Sequence, residues 1–223
     1  MSKRIKFFLG HLAISLLIAL IAIAIVFFVW YPAPLAQAVG VTSIFLMLLA
    51  IDVIVGPLFT LLVYKQGKKT LKSDLTVIIL IQLSAFVYGF YSIAQGRPVW
   101  IVFNVDRFEL VRVNEIYDGK LEQALPQFRQ PTWFKPQWVG VEFAKDANVR
   151  SDDLFAEALE GISIAQKPER YVDLSKTTTQ LKQRAKSLDM LKQYNDAKHV
   201  DAILSNGRNI DWEADNTIYY VGG

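Results

Sequence analysis

Three long apolar runs fill the first 96 positions of the chain, and after them the pattern changes to short alternating segments broken by turn residues. The runs are Leu12 to Tyr31, Val41 to Tyr64 and Leu75 to Ile93. About 20 residues at about 1.5 Å each cover about 30 Å, the thickness of a bilayer's hydrocarbon core. Each run is therefore read as a transmembrane helix. An uncharged loop, Pro32 to Gly40, separates the first two, and a basic turn, Lys65 to Asp74, separates the second from the third. The first run has a rival reading as a cleavable signal, with Ala36-Gln-Ala38 as the small-x-small site. It is longer than the roughly 7–15 apolar residues of such signals, so a retained anchor is expected. Trp30 and Tyr31 are expected at the membrane interface, where amphipathic rings settle.

Beyond Arg97-Pro98 the periodicities predict a small mixed domain. Val99–Val105 and Phe108–Val113 read as strands, joined by a turn over Asn104–Arg107. Tyr117–Lys120 is a turn, and Leu121–Leu125 a short helix. Val139–Phe143 is a third strand. Ser151 opens a helix that stops at Gly161, with Asp152 and Asp153 as acids in its first turn. Pro168–Asp173 is extended. Ser175–Tyr194 reads as a longer helix with Leu181, Ala185, Leu188 and Leu191 on one face. Asn206-Gly207 is a turn, and Thr217–Val221 a last strand. The fold class is a membrane protein of three transmembrane α-helices followed by a mixed α+β periplasmic domain. The boundaries are 1–96 for the membrane domain and 97–223 for the outer one.

Charge fixes the orientation of this plan. The first 96 residues carry seven of the 24 Lys+Arg (3, 4, 6, 65, 68, 69 and 72) and two of the 21 Asp+Glu (52 and 74). Loops rich in lysine and arginine stay cytoplasmic. The basic N-terminus and the basic 65–72 loop lie two spans apart, so both fit the inner side. The outer domain then faces the periplasm of a cell with two membranes. Outside the membrane flanks the charges nearly balance, so the net +3 does not point to nucleic acid. With no cysteine, disulfides and thiolate chemistry are absent.

Few polar residues interrupt the spans, and these are the candidate functional positions. Asp52 is alone in the second span; an acid at mid-depth costs about 2.5–3.5 kcal/mol on insertion scales, so it faces protein or water. Three readings stand for it: a structural hydrogen bond to Gln82 or Ser84, contact with a polar or cationic group on another protein's membrane helix, or an ion path. Gly56-Pro57 is expected to interrupt the same helix one turn away. On the third span Gln82, Ala85, Gly89, Ser92 and Gly96 recur at helical spacing, a stripe suited to close helix approach. In the outer domain Trp133, Phe134 and Trp138 lie in a proline-rich stretch. That stretch reads either as a loop packing its own aromatics or as a protein-contact face. His11 is expected near the membrane edge. No nucleophile–base set, metal spacing or phosphate loop is present, so no enzyme, catalytic residue, metal or cofactor is expected.

The stretch from 52 to 108 carries a more specific pattern. Ile51-Asp52-Val-Ile-Val-Gly56-Pro57 is followed by Lys68-Lys69-x-Leu71-x-x-Asp74-Leu75, then Gln82-x-x-Ala85-x-x-Tyr88-Gly89. It ends with Arg97-Pro98 and Asp106-Arg107-Phe108. Together these resemble the TfpX/TfpZ family of type IV pilin accessory proteins. The motif covers about a quarter of the chain, and the three-span plan fits nearly all of it. The resemblance implies an inner-membrane protein that helps a cognate type IV major pilin to be assembled into, or kept in, surface pili. The partners it implies are that pilin, the inner-membrane assembly platform and the lipid bilayer. It also implies at least one strand beyond Tyr219–Gly223. The alternative class is a membrane-anchored periplasmic sensor or ligand-binding protein.

Overall fold

The computed structural model describes residues 2–185, 188–193 and 195–206. The three apolar runs form helices: α1 (Lys3–Ala24), α3 (Val41–Val63) and α4 (Leu71–Gln95), with a single helical turn, α2 (Leu35–Ala38), between the first two. α1 starts well before its apolar run, because lysine and arginine are good helix formers and Ser2 accepts a hydrogen bond from the Ile5 amide. Its far end widens into a π-helix over Ile25–Trp30. By length and composition these three helices can each cross a membrane.

The chain forms two compact units. One holds Met1–Val99 together with Arg112–Glu115 and Pro131–Gln137. Within it α3 is the central helix: α1 and α4 pack along α3 and scarcely on each other. The core is confined to one half of the bundle. There Ala22, Val26 and Trp30 of the first span meet Phe45 and Leu49 of α3 and Ile93 and Ala94 of α4, with Phe86 and Phe90 against them. Ala19 and Ala22 are buried because small side chains let backbones approach where lipid offers no hydrophobic drive. Trp30 and Tyr31, at the end of the first span, are buried. The Tyr31 hydroxyl donates to the Ile93 carbonyl at 2.8 Å. Gly56-Pro57 does not interrupt α3, which is helical across both residues.

The second unit holds Trp100–Val111, Ile116–Gln130 and the described residues from Trp138 on. Its sheet is built from β1 (Pro98–Asn104), β2 (Arg107–Arg112), β3 (Gln137–Val141) and β4 (Tyr171–Asp173), in the order β2-β1-β3-β4. β3 and β4 are antiparallel, with Val139 opposite Asp173 and Val141 opposite Tyr171. β1 is interior on both faces, burying Val99, Trp100, Val102 and Phe103, as its unbroken apolar run dictates. Trp100 meets the Tyr171 ring edge-on at 5.0 Å, and Phe128 meets it from another side at 5.8 Å. β1 and β2 are joined by the expected tight turn, in which Val105 takes φ 58°. A β-branched residue is strained in the left-handed region. Val105→Asn is therefore expected to stabilise the full chain by about 1 kcal/mol, seen as a higher melting temperature.

The helices of this unit depart from the sequence expectation. α5 (Ala147–Phe155) begins before Ser151, because the Asp146 carboxylate accepts from the Asn148 and Val149 amides. It continues as a π-helix over Ala156–Glu160 and stops, as expected, at Gly161, whose φ is +71°. The Leu121–Leu125 helix is one 3-10 turn, Leu121–Gln123. The long helix expected over 175–194 is broken. α6 (Thr178–Arg184) ends where Ala185 turns extended, a 3-10 segment covers Leu188–Gln193, and α7 (Ala197–Asn206) follows. The strand expected at Thr217–Val221 lies outside the described residues.

Candidate functional site

The half of the helix bundle that lacks a core is open. Between α1 and α4, over a floor of α3, lies a lateral groove with a cavity of about 690 Å³. It starts beside the basic N-terminus at Lys6 and Phe7 and ends against the packed half at Ala19, Leu49 and Phe86. Its lining is apolar except for a few groups, and those make a sparse network. His11 Nδ1 and Thr60 Oγ1 are 2.7 Å apart, tying α1 to α3. Deeper, the Gln82 amide nitrogen donates to Ser15 Oγ at 3.2 Å and to the Asp52 backbone carbonyl at 2.9 Å, joining all three helices.

Asp52 and Gln82 thus meet as the sequence suggested, but through the Asp52 main chain. The Asp52 carboxylate atom Oδ2 and the Gln82 carbonyl oxygen Oε1 are both buried and have no partner among the described residues. Buried polar atoms are nearly always satisfied, and leaving one unpaired costs about 1–3 kcal/mol. Each of these two oxygens is an acceptor that a hydrogen-bond donor or a cation would satisfy, on residues that line an apolar groove.

Gly56 is what allows this arrangement. The Gln82 side-chain amide occupies the space that a Cβ at position 56 would fill. At Gly89 the Leu48 side chain does the same. The stripe on α4 therefore divides. Gln82 and Gly89 face α3, whereas Ala85 and Ser92 are exposed, as is Tyr88 beside them.

The remaining motif residues build the ends of the spans and the hairpin. Lys68 pairs with Asp74 at 2.7 Å, and Thr70 Oγ1 donates to the same carboxylate, closing the basic turn; Lys69 is exposed. Asp106 lies in the β1–β2 turn, Arg107 starts β2, and Phe108 packs between Phe103 and Trp138. Pro98 starts β1 and is fully buried. Arg97 is buried too. Its guanidinium donates to the Ala94 carbonyl at 2.8 Å and the Thr132 carbonyl at 3.3 Å, and stacks 4.3 Å from the Trp133 ring.

Of the aromatic stretch, Phe128 is buried, whereas Trp133, Phe134 and Trp138 are exposed. One further cluster escaped the sequence reading. Asp153, expected as a helix-start charge, is buried and takes Lys167 Nζ at 2.8 Å and Arg170 Nη2 at 2.9 Å. Burial pushes its carboxyl up, but the hydrogen bonds and charges of Lys167 and Arg170 outweigh that and hold it below the usual carboxylate range.

These features define a three-helix protein with a polar-floored lateral groove and a separate α+β unit. Its relatives place it more closely. The model of the fimbrial assembly protein FimB family matches residues 1–40. The chain is 37% identical to the fimbrial assembly protein of serogroup I from Dichelobacter nodosus, over 80% of this chain and 70% of that one. It is 36% identical to the serogroup E1 protein of that organism over the same shares. The protein of serogroups C1 and C2 is 38% identical over 51% of this chain and 88% of that one. The chain belongs to the fimbrial assembly protein family. No solved structure matches it.

Proposed function

We propose that this protein is an inner-membrane accessory factor of the TfpX/TfpZ type. It promotes the assembly or surface maintenance of a cognate type IV pilin by binding it, without catalysing a reaction. Its N-terminus and 65–72 loop face the cytoplasm and its α+β unit the periplasm. The groove between α1 and α4 receives the pilin's apolar helix, and Asp52 takes a donor or cationic group on that helix. The observation that carries this reading is the buried Asp52 Oδ2, which has no partner among the described residues, on the lining of an open apolar groove, in a chain whose relatives are fimbrial assembly proteins. An apolar helix fits the walls; a polar partner would relieve the cost at the floor.

The assembly role is tested by the surface fraction of pilin in cells with and without this protein. A lower fraction without it, restored on complementation, is expected. Unchanged surface and total pilin would reject the role. Within that role, Asp52→Asn is expected to reduce pilin co-purification about tenfold, the worth of about 1.4 kcal/mol, while membrane insertion is unchanged. Undiminished recovery would remove the charge from the contact.

A ligand-sensing reading has one observation in its favour. The α+β unit has a cavity of about 490 Å³ bordered by Glu142, Lys176, Gln180 and Arg184. In that case deletion would change transcription and leave the surface fraction of pilin as it was.

A further inference from the structure

Two of the most exposed aromatic side chains of the first unit are Trp133 and Phe134, at 64% and 71% exposure. They sit on the segment Pro131–Gln137, which belongs to the same compact unit as the spans although it lies far along the chain. Its depth is set by hydrogen bonds. The Trp30 indole, on the last residue of the first span, donates to the Trp133 carbonyl at 3.1 Å. Arg97, two residues past the end of α4, donates to the Thr132 carbonyl and lies over the Trp133 ring. The segment is therefore held level with the ends of two membrane helices. The Phe134 amide donates back to Thr132 Oγ1 at 3.1 Å, fixing the turn that presents the rings. Exposed Lys135 follows directly.

At that level the neighbouring phase is the headgroup layer. Tryptophan and other amphipathic rings concentrate there, and a lysine can reach lipid phosphates. We propose that Pro131–Gln137 is a membrane-contact loop, with Trp133 and Phe134 inserted at the headgroup–acyl boundary and Lys135 directed to phosphate. The aromatic face is thereby assigned to lipid rather than to a protein partner. This rests on the reading that α1, α3 and α4 span the bilayer.

The absence of cysteine allows a clean test. The full-length Phe134→Cys and Leu80→Cys variants would each be labelled with an environment-sensitive fluorophore. Both are then reconstituted in phosphatidylcholine–phosphatidylglycerol vesicles carrying nitroxide lipids, labelled either near the headgroup or near the bilayer centre. The label at 134 is expected to emit blue-shifted, and to lose most of its intensity to the shallow nitroxide and little to the deep one. The label at 80 is expected to show the reverse preference. Water-like emission at 134, quenched by aqueous iodide, would overturn the proposal. So would blue-shifted emission that neither lipid quenches, which would mean a protein surface covers the loop. Loss of deep quenching at 80 would overturn the spanning reading and the loop proposal with it.

Discussion

Asp153→Ala is expected to destabilise the α+β unit by about 3–5 kcal/mol, because it strands two buried cations in a low-dielectric interior. Lys167 and Arg170 are both largely buried, and Asp153 Oδ1 and Oδ2 are the ion-pair acceptors for them among the described residues. The same pair of bonds ties α5 to the segment leading into β4. Denaturant unfolding of the full chain in detergent, followed by the aromatic near-ultraviolet signal of Trp100 and its neighbours, would measure the loss. Replacing Asp153, Lys167 and Arg170 together by leucine, methionine and methionine is expected to recover much of it, since an apolar set of similar volume leaves no uncompensated charge. If the triple variant is as unstable as Asp153→Ala, the cost lies in packing and not in stranded charge.

The same cluster sets a pH dependence. The carboxyl of Asp153 is held below its ordinary value in the folded chain, so the folded state binds its proton less readily than the unfolded one. Its contribution is fully present above the unfolded value of about 3.9, and is lost as pH falls from there through the lower folded value. Between neutral pH and about pH 5 this group leaves stability level. Asp153→Asn is expected to flatten the acid limb of the curve; an unchanged acid limb would assign that loss to other carboxylates.

Gly56→Leu is the second change with a large expected effect, and it acts on the groove. The new side chain would occupy the place of the Gln82 amide. That expels the amide from its bonds to Ser15 and the Asp52 carbonyl, at about 1 kcal/mol each. Overpacking between α3 and α4 adds about 1–3 kcal/mol. Surface pilin is expected to fall to the level of cells lacking the protein. Gly56→Ala with Gln82→Ala separates the two causes. The pair relieves the clash with the Gln82 amide and removes that amide from the polar floor, so it should restore protein abundance without restoring surface pilin. Full recovery of both would show that only helix packing matters at this position.

What the sequence made legible follows from which forces are local. Hydrophobic runs and the β1–β2 turn each depend on neighbouring residues, and α1, α3, α4 and the hairpin form where the pattern puts them. Gly161 ended its helix as expected because a left-handed cap is a one-residue property. The misses are long-range. Asp153 has the local look of a helix-start acid, and its role depends on Lys167 and Arg170 closing on it from 14 and 17 residues away. The return of Pro131–Gln137 to the spans depends on Trp30, about 100 residues earlier, and nothing periodic announces it. At the groove, a hydrogen bond between Asp52 and either Gln82 or Ser84 was legible from the few polar residues on adjacent spans, and Gln82 is the one that makes it. That Asp52 Oδ2 stays without a partner among the described residues was not, since the sequence does not say which atom meets the amide. Pro57 failed as a breaker because α3 is central and packed on both sides, so tertiary contacts hold the helix through it.

The central claim is that the groove between α1 and α4 holds a pilin helix. It is tested most directly by placing a photoreactive leucine analogue at position 83, which lines the groove, and at position 62, which is exposed on α3 outside it. Irradiation of cells making pilin is predicted to give a pilin adduct from position 83 and none from position 62. No adduct from either position, or equal adducts from both, would contradict the account.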